Sequence, residues 1–599
     1  MRPWKAAAAV VATFCALAAA TYGSGYFIYL FLGLDGYPLQ WTTAWHYMQA
    51  LDQPAYQPYA WRIKSGLVAG CVLSSLAWGA ALVALIRHAP VEASTHGDAR
   101  FATLGDLKKA GLLTRTEQSI LIGKYKGREL WLGGAQHVIV ISPTRSGKTT
   151  GVAIPVLLTY RHSMVVLDLK GELHKATSGQ RAAMGQLVLV WAPYEEDGNT
   201  YRFNPMTLFA DMAHGKRIGE IQTIAAILYP DAPGQDPFWT SQGRAAFTAF
   251  TSYLFEAWQH GLASRDGADA DPNAAPDYPS FERILRFSSG DDDVGTKALL
   301  QTILKDPCRS FVSPQTRTVF SNLAGLSEDT FSSVIATMQA PLQQFLNPIL
   351  AAATNATDFD IRSLRRRPTT LFVNIPTNKL DESSKLLNIF FSTVIGNNLD
   401  KQLGEDPALK YQVLMLMDEF TAMGRVDVWA KRISISASYG VRDLCIVQSR
   451  SQLRATYGDN DAQNFITNHG AQIVFAPREQ SDANEYSEML GYRTVRKRQR
   501  STSRGGGGNQ VSTSHMDERR ALLLPQEVKE LPTDDELIFY EGCKPIRAKK
   551  NWFFKDKTYR ALATLPPTTI ARHTSPASPA DAVPTVTPES TRARLALSR

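Results

Sequence analysis

The chain has 599 residues, 44% of them hydrophobic and 20% charged, with a formal net charge of +8. That length leaves room for two or three domains and a large core, and that composition excludes a wholly disordered or fibrous chain. The cation excess is modest and clustered (residues 365–367 and 493–504, against an acidic 266–277), so charge alone excludes no partner and selects none.

In chain order, residues 6–34 and 65–86 contain no charged side chain. Each is long enough to cross the hydrocarbon layer, which takes about 20 apolar residues. The first exceeds the ~7–15-residue apolar region of a cleaved leader. The expectation is a membrane anchor over residues 1–96, with spans at about 7–34 and 65–86 and a short periplasmic loop between them. Arg2 and Lys5 precede the first span, and Arg87, Arg100, Lys108 and Lys109 follow the second. The positive-inside rule then puts both termini and the soluble part in the cytoplasm. Five cysteines, Cys15, Cys71, Cys308, Cys445 and Cys543, form no metal or disulfide spacing and read as small buried apolar side chains.

Past the anchor, residues 97–113 read as an amphipathic lead-in. Apolar runs at 136–141, 164–167 and 187–190 alternate with helix-length segments, the pattern of a parallel, doubly wound sheet. Residues 207–358 are helical in pattern, and strand-like runs resume at 370–375, 413–417, 444–447 and 472–475. We therefore expect an α/β nucleotide-binding domain in two parts, 97–206 and 359–561, with an all-α domain, 207–358, inserted between them. Residues 504–513, with four consecutive glycines, read as a loop or hinge, and 562–599, rich in Pro, Ser, Thr and Ala, as a disordered tail.

The run 136–141 is followed by Ser142, Pro143, Thr144, Arg145, Ser146, Gly147, Lys148, Thr149 and Thr150, then an apolar helix. Strand, tight loop and helix with Gly-Lys-Thr fit a phosphate cradle; a chance Gly-Lys-Thr on a solvated turn is the other reading. Backbone N–H groups converge, a lysine reaches the β/γ-phosphates and a hydroxyl holds Mg²⁺. Ser142 stands where the usual pattern opens with glycine. The run 413–417 ends in Asp418 and Glu419. A carboxylate at a strand tip beside such a loop can hold Mg²⁺, Asp418's candidate role with Thr149, and a second one can deprotonate the attacking water, Glu419's. Gln448, at the end of 444–447, can touch the γ-phosphate or the water; capping the next helix is its other reading. Asp168 to Glu172 ends a further strand and reads equally as a solvated connection.

Together these pieces resemble the type IV secretion coupling proteins, the TraG-like membrane ATPases of conjugation and effector export. The residues that carry the resemblance are Gly97-Asp-Ala-Arg-Phe101, the loop with Gly151-Val-Ala-Ile-Pro-Val-Leu-Leu158, and Asp168-Leu-Lys-Gly-Glu172. After them come Arg202-Phe-Asn-Pro205, Asp236-Pro-Phe-Trp239, Asp418-Glu-Phe420, Gln448-Ser-Arg-Ser-Gln-Leu-Arg454 and Lys544-Pro-Ile-Arg547. In that family Ser or Ala commonly replaces the first glycine of the loop. The resemblance implies a RecA-like P-loop NTPase domain with an all-α insertion, anchored by two transmembrane helices, using ATP and Mg²⁺. It also implies a homohexamer passing relaxase-bound single-stranded DNA, or secreted effector proteins, to other channel components at the inner membrane. Ala437 and Ser438 stand where some members carry a trans-acting arginine, leaving Arg432, Arg442 and Arg450 as candidates. The rival readings are a double-stranded DNA translocase of the chromosome-segregation kind and a nucleotide-bound receptor or scaffold that does no work.

Overall fold

The computed structural model of the chain describes residues 3–34, 36–87, 95–231, 234, 236–263, 278–290, 294–505 and 508–570. They fall into two compact units, Met1–Thr95 and His96–Arg599.

In the first unit, Pro3–Leu32 and Ala60–Arg87 are α-helices. Two helical segments, Val11–Leu32 and Pro54–Ala81, are long and apolar enough to cross a membrane. Their packing depends on small residues. A Cβ on Gly70 would run into the backbone of Ser24, so the helix axes approach as closely as a glycine allows. The Ser24 hydroxyl donates across that contact to the Leu67 carbonyl at 3.2 Å.

The second unit is built on one sheet of eleven strands. Its strands are β1 (Ile120–Tyr125), β2 (Arg128–Leu132), β3 (Val138–Ile141), β4 (Ser163–Leu167), β5 (Leu187–Trp191), β6 (Thr369–Val373), β7 (Val413–Met417), β8 (Val441–Val447), β9 (Ala471–Val474), β12 (Asp535–Tyr540) and β13 (Ile546–Lys549). A separate pair is formed by β10 (Tyr492–Gly505) and β11 (Gly508–Ala521). The sheet order is β2-β1-β13-β12-β9-β3-β8-β7-β4-β6-β5. From β9 to β5 every pairing is parallel, and from β2 to β9 every pairing is antiparallel. The α/β class and its parallel core are as the apolar runs imply. β3, β4, β6 and β7 are buried along their whole length, because helices cover both faces.

Between β5 and β6 the described residues form helices and no strand: His214–Leu228, Pro237–Ala263, Phe281–Ser288, Thr296–Lys305, Pro314–Ala324, Glu328–Gln339 and Pro348–Thr354. Three of them start on a serine whose hydroxyl accepts a first-turn N–H: Ser280 from Arg283, Ser313 from Thr316 and Ser327 from Thr330. The segment is clasped where it leaves and re-enters the α/β part. Arg202 donates to Asp358 at 2.7 Å, and the Asp358 N–H returns to the Arg202 carbonyl at 3.1 Å. Asn204 is fully buried beside this clasp, donating to the Pro279 carbonyl and capping the next turn.

Three expectations are corrected. Residues 504–505 and 508–513 are strand, not loop: β10 and β11 pair over a long ladder, from Tyr492 opposite Ala521 to Gly505 opposite Gly508, and residues 506–507 lie outside the described residues. The ladder carries charged rather than alternating apolar side chains, and two opposite-charge contacts cross it, Arg496 donating to Asp517 at 3.0 Å and Lys497 beside Glu518 at 2.5 Å. The tail starts later than 562. Thr568 donates its N–H to Ser178 at 3.0 Å, and Leu562 and Ile570 pack on the core, whereas 571–599 lie outside the described residues. Of the five cysteines only Cys445 is buried; Cys15, Cys71 and Cys308 are exposed and Cys543 is intermediate.

One buried acid sets a pH dependence. Asp443 on β8 is 2% exposed and faces His137, His469, Cys445 and Trp429. Burial pushes its pKa up to about 7, against the Trp429 indole. Burial likewise pushes His137 down to about 3 and His469 down to about 4, so both imidazoles are neutral and supply no compensating charge. An acid with a folded pKa above its unfolded value, about 3.9, contributes stability that is complete below that value. The contribution is lost as pH rises through about 7. Asp443→Asn cannot ionise, so its Tm relative to wild type is expected to rise as pH goes from 5 to 8. The change corresponds to ~3 kcal/mol. Thermal melts at several pH values check this, and a constant difference would exclude it.

Candidate nucleotide site

Three neighbouring strands, β3, β8 and β7, put their carboxyl ends side by side, at the position where β3 connects past its neighbours to β4. Ligands of open parallel sheets bind at such a crevice. The loop Ser142–Thr150 leaves the tip of β3. Ser142 is fully buried: its N–H donates to the Val447 carbonyl at 2.9 Å and its hydroxyl lies 2.6 Å from that of Ser146. A serine here adds an internal tie that a glycine could not. The turn needs two left-handed residues, Arg145 (φ 60°) and Gly147 (φ 87°). Two residues distant in sequence support the loop, Arg478 donating to the Thr144 carbonyl at 3.0 Å and Lys550 to the Ser146 carbonyl at 3.0 Å. The following helix opens with a wide turn, Ile154 N–H bonding to Thr149 O.

The side chains named from sequence converge here. Thr149 Oγ1 donates to Asp418 Oδ2 at 3.1 Å. Lys148 Nζ pairs with Glu419 Oε1, and Gln448 Nε2 donates to Glu419 Oε2 at 2.9 Å. Glu419 is held at φ 66°, a left-handed conformation uncommon for a non-glycine residue. Asp418 Oδ1 is buried without a hydrogen-bond partner, while burial, with Lys148 opposing and Glu419 adding, pushes the Asp418 pKa up to about 6. A buried, unpartnered carboxylate oxygen beside a threonine hydroxyl is a donor set that suits Mg²⁺. Pro143, Thr144, Arg145, Ser146 and Thr150 complete the loop. Of these, Thr150 passes its carbonyl to the Phe553 N–H at 3.2 Å.

Other expectations sort differently. Capping of the helix Arg450–Tyr457 falls to Ser449, which leaves the Gln448 amide free for Glu419. Asp168 is not solvated: it is 2% exposed and accepts the His174 N–H at 2.8 Å, tying β4 to the helix Glu172–Ala183. Two arginine candidates are excluded as trans-acting groups. Arg442 is fully buried, donating to the Gln136 and Gln118 carbonyls, and Arg450 is 2% exposed and paired with Glu485. Arg432 is exposed. Sequence reasoning missed Lys550 and Trp552, which support the loop from beyond the last strand. The aromatic run Trp552-Phe553-Phe554 was the available signal.

Comparison with known proteins agrees with this architecture. Residues 100–577 match the family described as Type IV secretory system Conjugative DNA transfer. Protein VirD4 of Rhizobium radiobacter is 28% identical over 479 residues, which cover 78% of this chain and 65% of that protein. Thus the chain spans just under two thirds of that relative's length. A conjugal transfer protein TraG of Escherichia coli is 26% identical over 522 residues, covering 79% of this chain and 78% of that one. Among solved structures, the bacterial conjugative coupling protein TrwBdeltaN70 in its unbound form shares the fold with a TM-score of 0.51 at 16% identity, over 76% of this chain and 93% of that one. The plasmid coupling protein TrwB in complex with the non-hydrolysable ATP analogue ADPNP gives 0.51 at 16% identity, over 81% and 97%. With four fifths of its length matched by the family model, the chain belongs to the type IV secretory system conjugative DNA transfer family.

Proposed function

We propose that the chain is an inner-membrane coupling ATPase of a type IV secretion system, which takes up substrate on the cytoplasmic side and drives its transfer by hydrolysing ATP. The observation that carries this is the convergence of Lys148, Thr149, Asp418, Glu419 and Gln448 at three adjacent strand tips. Lys148 binds the β/γ-phosphates, and Thr149 Oγ1 and Asp418 would hold Mg²⁺, whose charge offsets that developing on the phosphates. Phosphate draws Lys148 off Glu419, freeing one carboxylate oxygen to take the proton of the attacking water. Gln448 fixes the other oxygen, so β8 responds to the state of the γ-phosphate. Support for the nucleotide comes from the TrwB complex with an ATP analogue.

The two apolar helices serve as anchor, with both termini cytoplasmic by the cation asymmetry around them. The assembly is a homohexamer whose cargo is relaxase-bound single-stranded DNA or effector protein, delivered to the other components of the secretion channel. Arg432 is the remaining candidate to complete a neighbour's site.

The test uses full-length protein in detergent micelles. Turnover of ATP is expected with Mg²⁺, is abolished by EDTA, and rises more with single- than with double-stranded DNA. Preferential stimulation by double-stranded DNA would favour a chromosome-segregation type of translocase. Nucleotide binding with no turnover under any condition would favour a receptor.

A further inference from the structure

Beyond β13 the chain turns back over the phosphate loop and is fastened to it. Lys550 Nζ donates to the Ser146 carbonyl at 3.0 Å, and the Phe553 N–H to the Thr150 carbonyl at 3.2 Å. Trp552 lies directly on Gly147, where an added Cβ would run into ring atoms Cζ3 and Cη2. The ring is fixed at its other edge. Trp552 Nε1 donates to Asp534 Oδ1 at 2.8 Å, and Lys555 Nζ holds the same oxygen at 2.7 Å. Beside it stands Phe554, its ring centroid 5.5 Å from that of Trp552 and tilted by 46°. Phe554 is 46% exposed, an aromatic surface left open to solvent at the end of a well-anchored strap.

The direction in which a nucleotide would lie follows from the contacts of the loop. Glu419 and Gln448 mark the end where the γ-phosphate and water meet, and Lys148 and Thr149 face them. The α-phosphate, ribose and base must therefore leave at the opposite end, past Thr150. There Phe553 is hydrogen-bonded to Thr150, the Trp552 ring lies against Gly147 and Gly151, and the Phe554 ring packs beside those of Trp552 and Phe553. An aromatic face stacks on any nucleobase, because every base has a π-face.

We propose that Trp552 and Phe554 form the platform on which the base of the bound nucleotide stacks, with Lys550 and Asp534 holding that platform against the phosphate loop. This rests on the reading that the loop binds a nucleoside polyphosphate. Phe554 makes the affinity depend on the base, while Gly147 to Thr149 make it depend on the phosphates. The two contributions are separable.

The experiment compares two probes on full-length protein in micelles with Mg²⁺: ADP, and inorganic tripolyphosphate, which carries phosphates and no base. Phe554→Ala changes an exposed side chain and leaves the loop's supports in place. It is expected to weaken ADP roughly ten-fold and to leave tripolyphosphate within two-fold of wild type, with Phe554→Trp restoring ADP. Binding of ADP is expected to change the fluorescence of Trp552, read as the difference from Trp552→Phe, while tripolyphosphate leaves it unchanged. Equal weakening of both probes by Phe554→Ala, or of neither, would overturn the platform. Binding of neither probe would instead remove the nucleotide reading on which the platform rests.

Discussion

Lys148→Ala is expected to abolish ATP turnover and transfer, by at least ~10²-fold, while the protein still folds and inserts. Removing one preorganised group that stabilises charge in the transition state costs about 10²–10³ in rate. Lys148 also supplies ground-state binding, so affinity falls as well. The fold should withstand the change. The lysine's partner, Glu419, keeps the Gln448 amide on its second oxygen, and its side chain is 25% exposed, so water can solvate the orphaned carboxylate. Thermal melts separate the two effects. Saturating nucleotide should raise the Tm of wild type, as ligand at about 100 times its Kd stabilises by ~2.7 kcal/mol. At the same concentration it should raise the Tm of Lys148→Ala by less. A variant that still transfers substrate at the wild-type rate would exclude this lysine from the motor.

The parts of the fold that were legible in the sequence are those whose burial is uniform. Val138–Ile141 and Val413–Met417 are apolar at every position because both faces are covered, and such runs stand out without alignment. The antiparallel half of the sheet was not legible. β13 alternates buried and exposed over only four residues, too few for a period-2 pattern to register. β12 begins with Asp535 and Glu536, a pair that no propensity places inside, yet Glu536 is 1% exposed and burial pushes its pKa up to about 8. The β10–β11 hairpin was missed for a related reason: its strands carry charged and polar side chains, and charged runs ordinarily read as solvated loop.

The site divides along the same line. Lys148, Thr149, Asp418, Glu419 and Gln448 could be named because each sits where an apolar run ends, and a polar group at a strand tip has a short list of roles. Lys550 could not be connected to the loop it supports, since 404 residues separate it from Ser146 and only the closing of the sheet by β12 and β13 brings them together. Arg442 and Arg450 show the converse. Their chemistry suited a trans-acting cation, but their burial assigns them to holding strands and helices in place.

Glu419→Gln is the substitution that separates binding from hydrolysis. Glutamine matches the glutamate in size, leaves Lys148 and Thr149 in place and keeps an oxygen for Lys148, so nucleotide affinity should stay within a few-fold of wild type. What it cannot do is accept a proton from water. A positioned general base contributes typically 10²–10⁴-fold, so kcat should fall by that factor with little change in the concentration of ATP that saturates the site. The contact with Gln448 changes in a way that sharpens the test. In the native site the Gln448 amide donates to a carboxylate at 2.9 Å, whereas in the variant it faces an amide whose oxygen is the only acceptor. Lys148 and Gln448 then compete for that oxygen when no nucleotide is bound. Nucleotide draws Lys148 away and releases the oxygen to Gln448, so bound ATP should hold the variant in one arrangement and protect β8 from hydrogen exchange more than it does in wild type, where turnover keeps renewing the site. Turnover within a few-fold of wild type would show that Glu419 is not the base and would pass that role to another group at the strand tips. Loss of ATP binding together with turnover would instead make the Lys148–Glu419 pair a structural support of the loop.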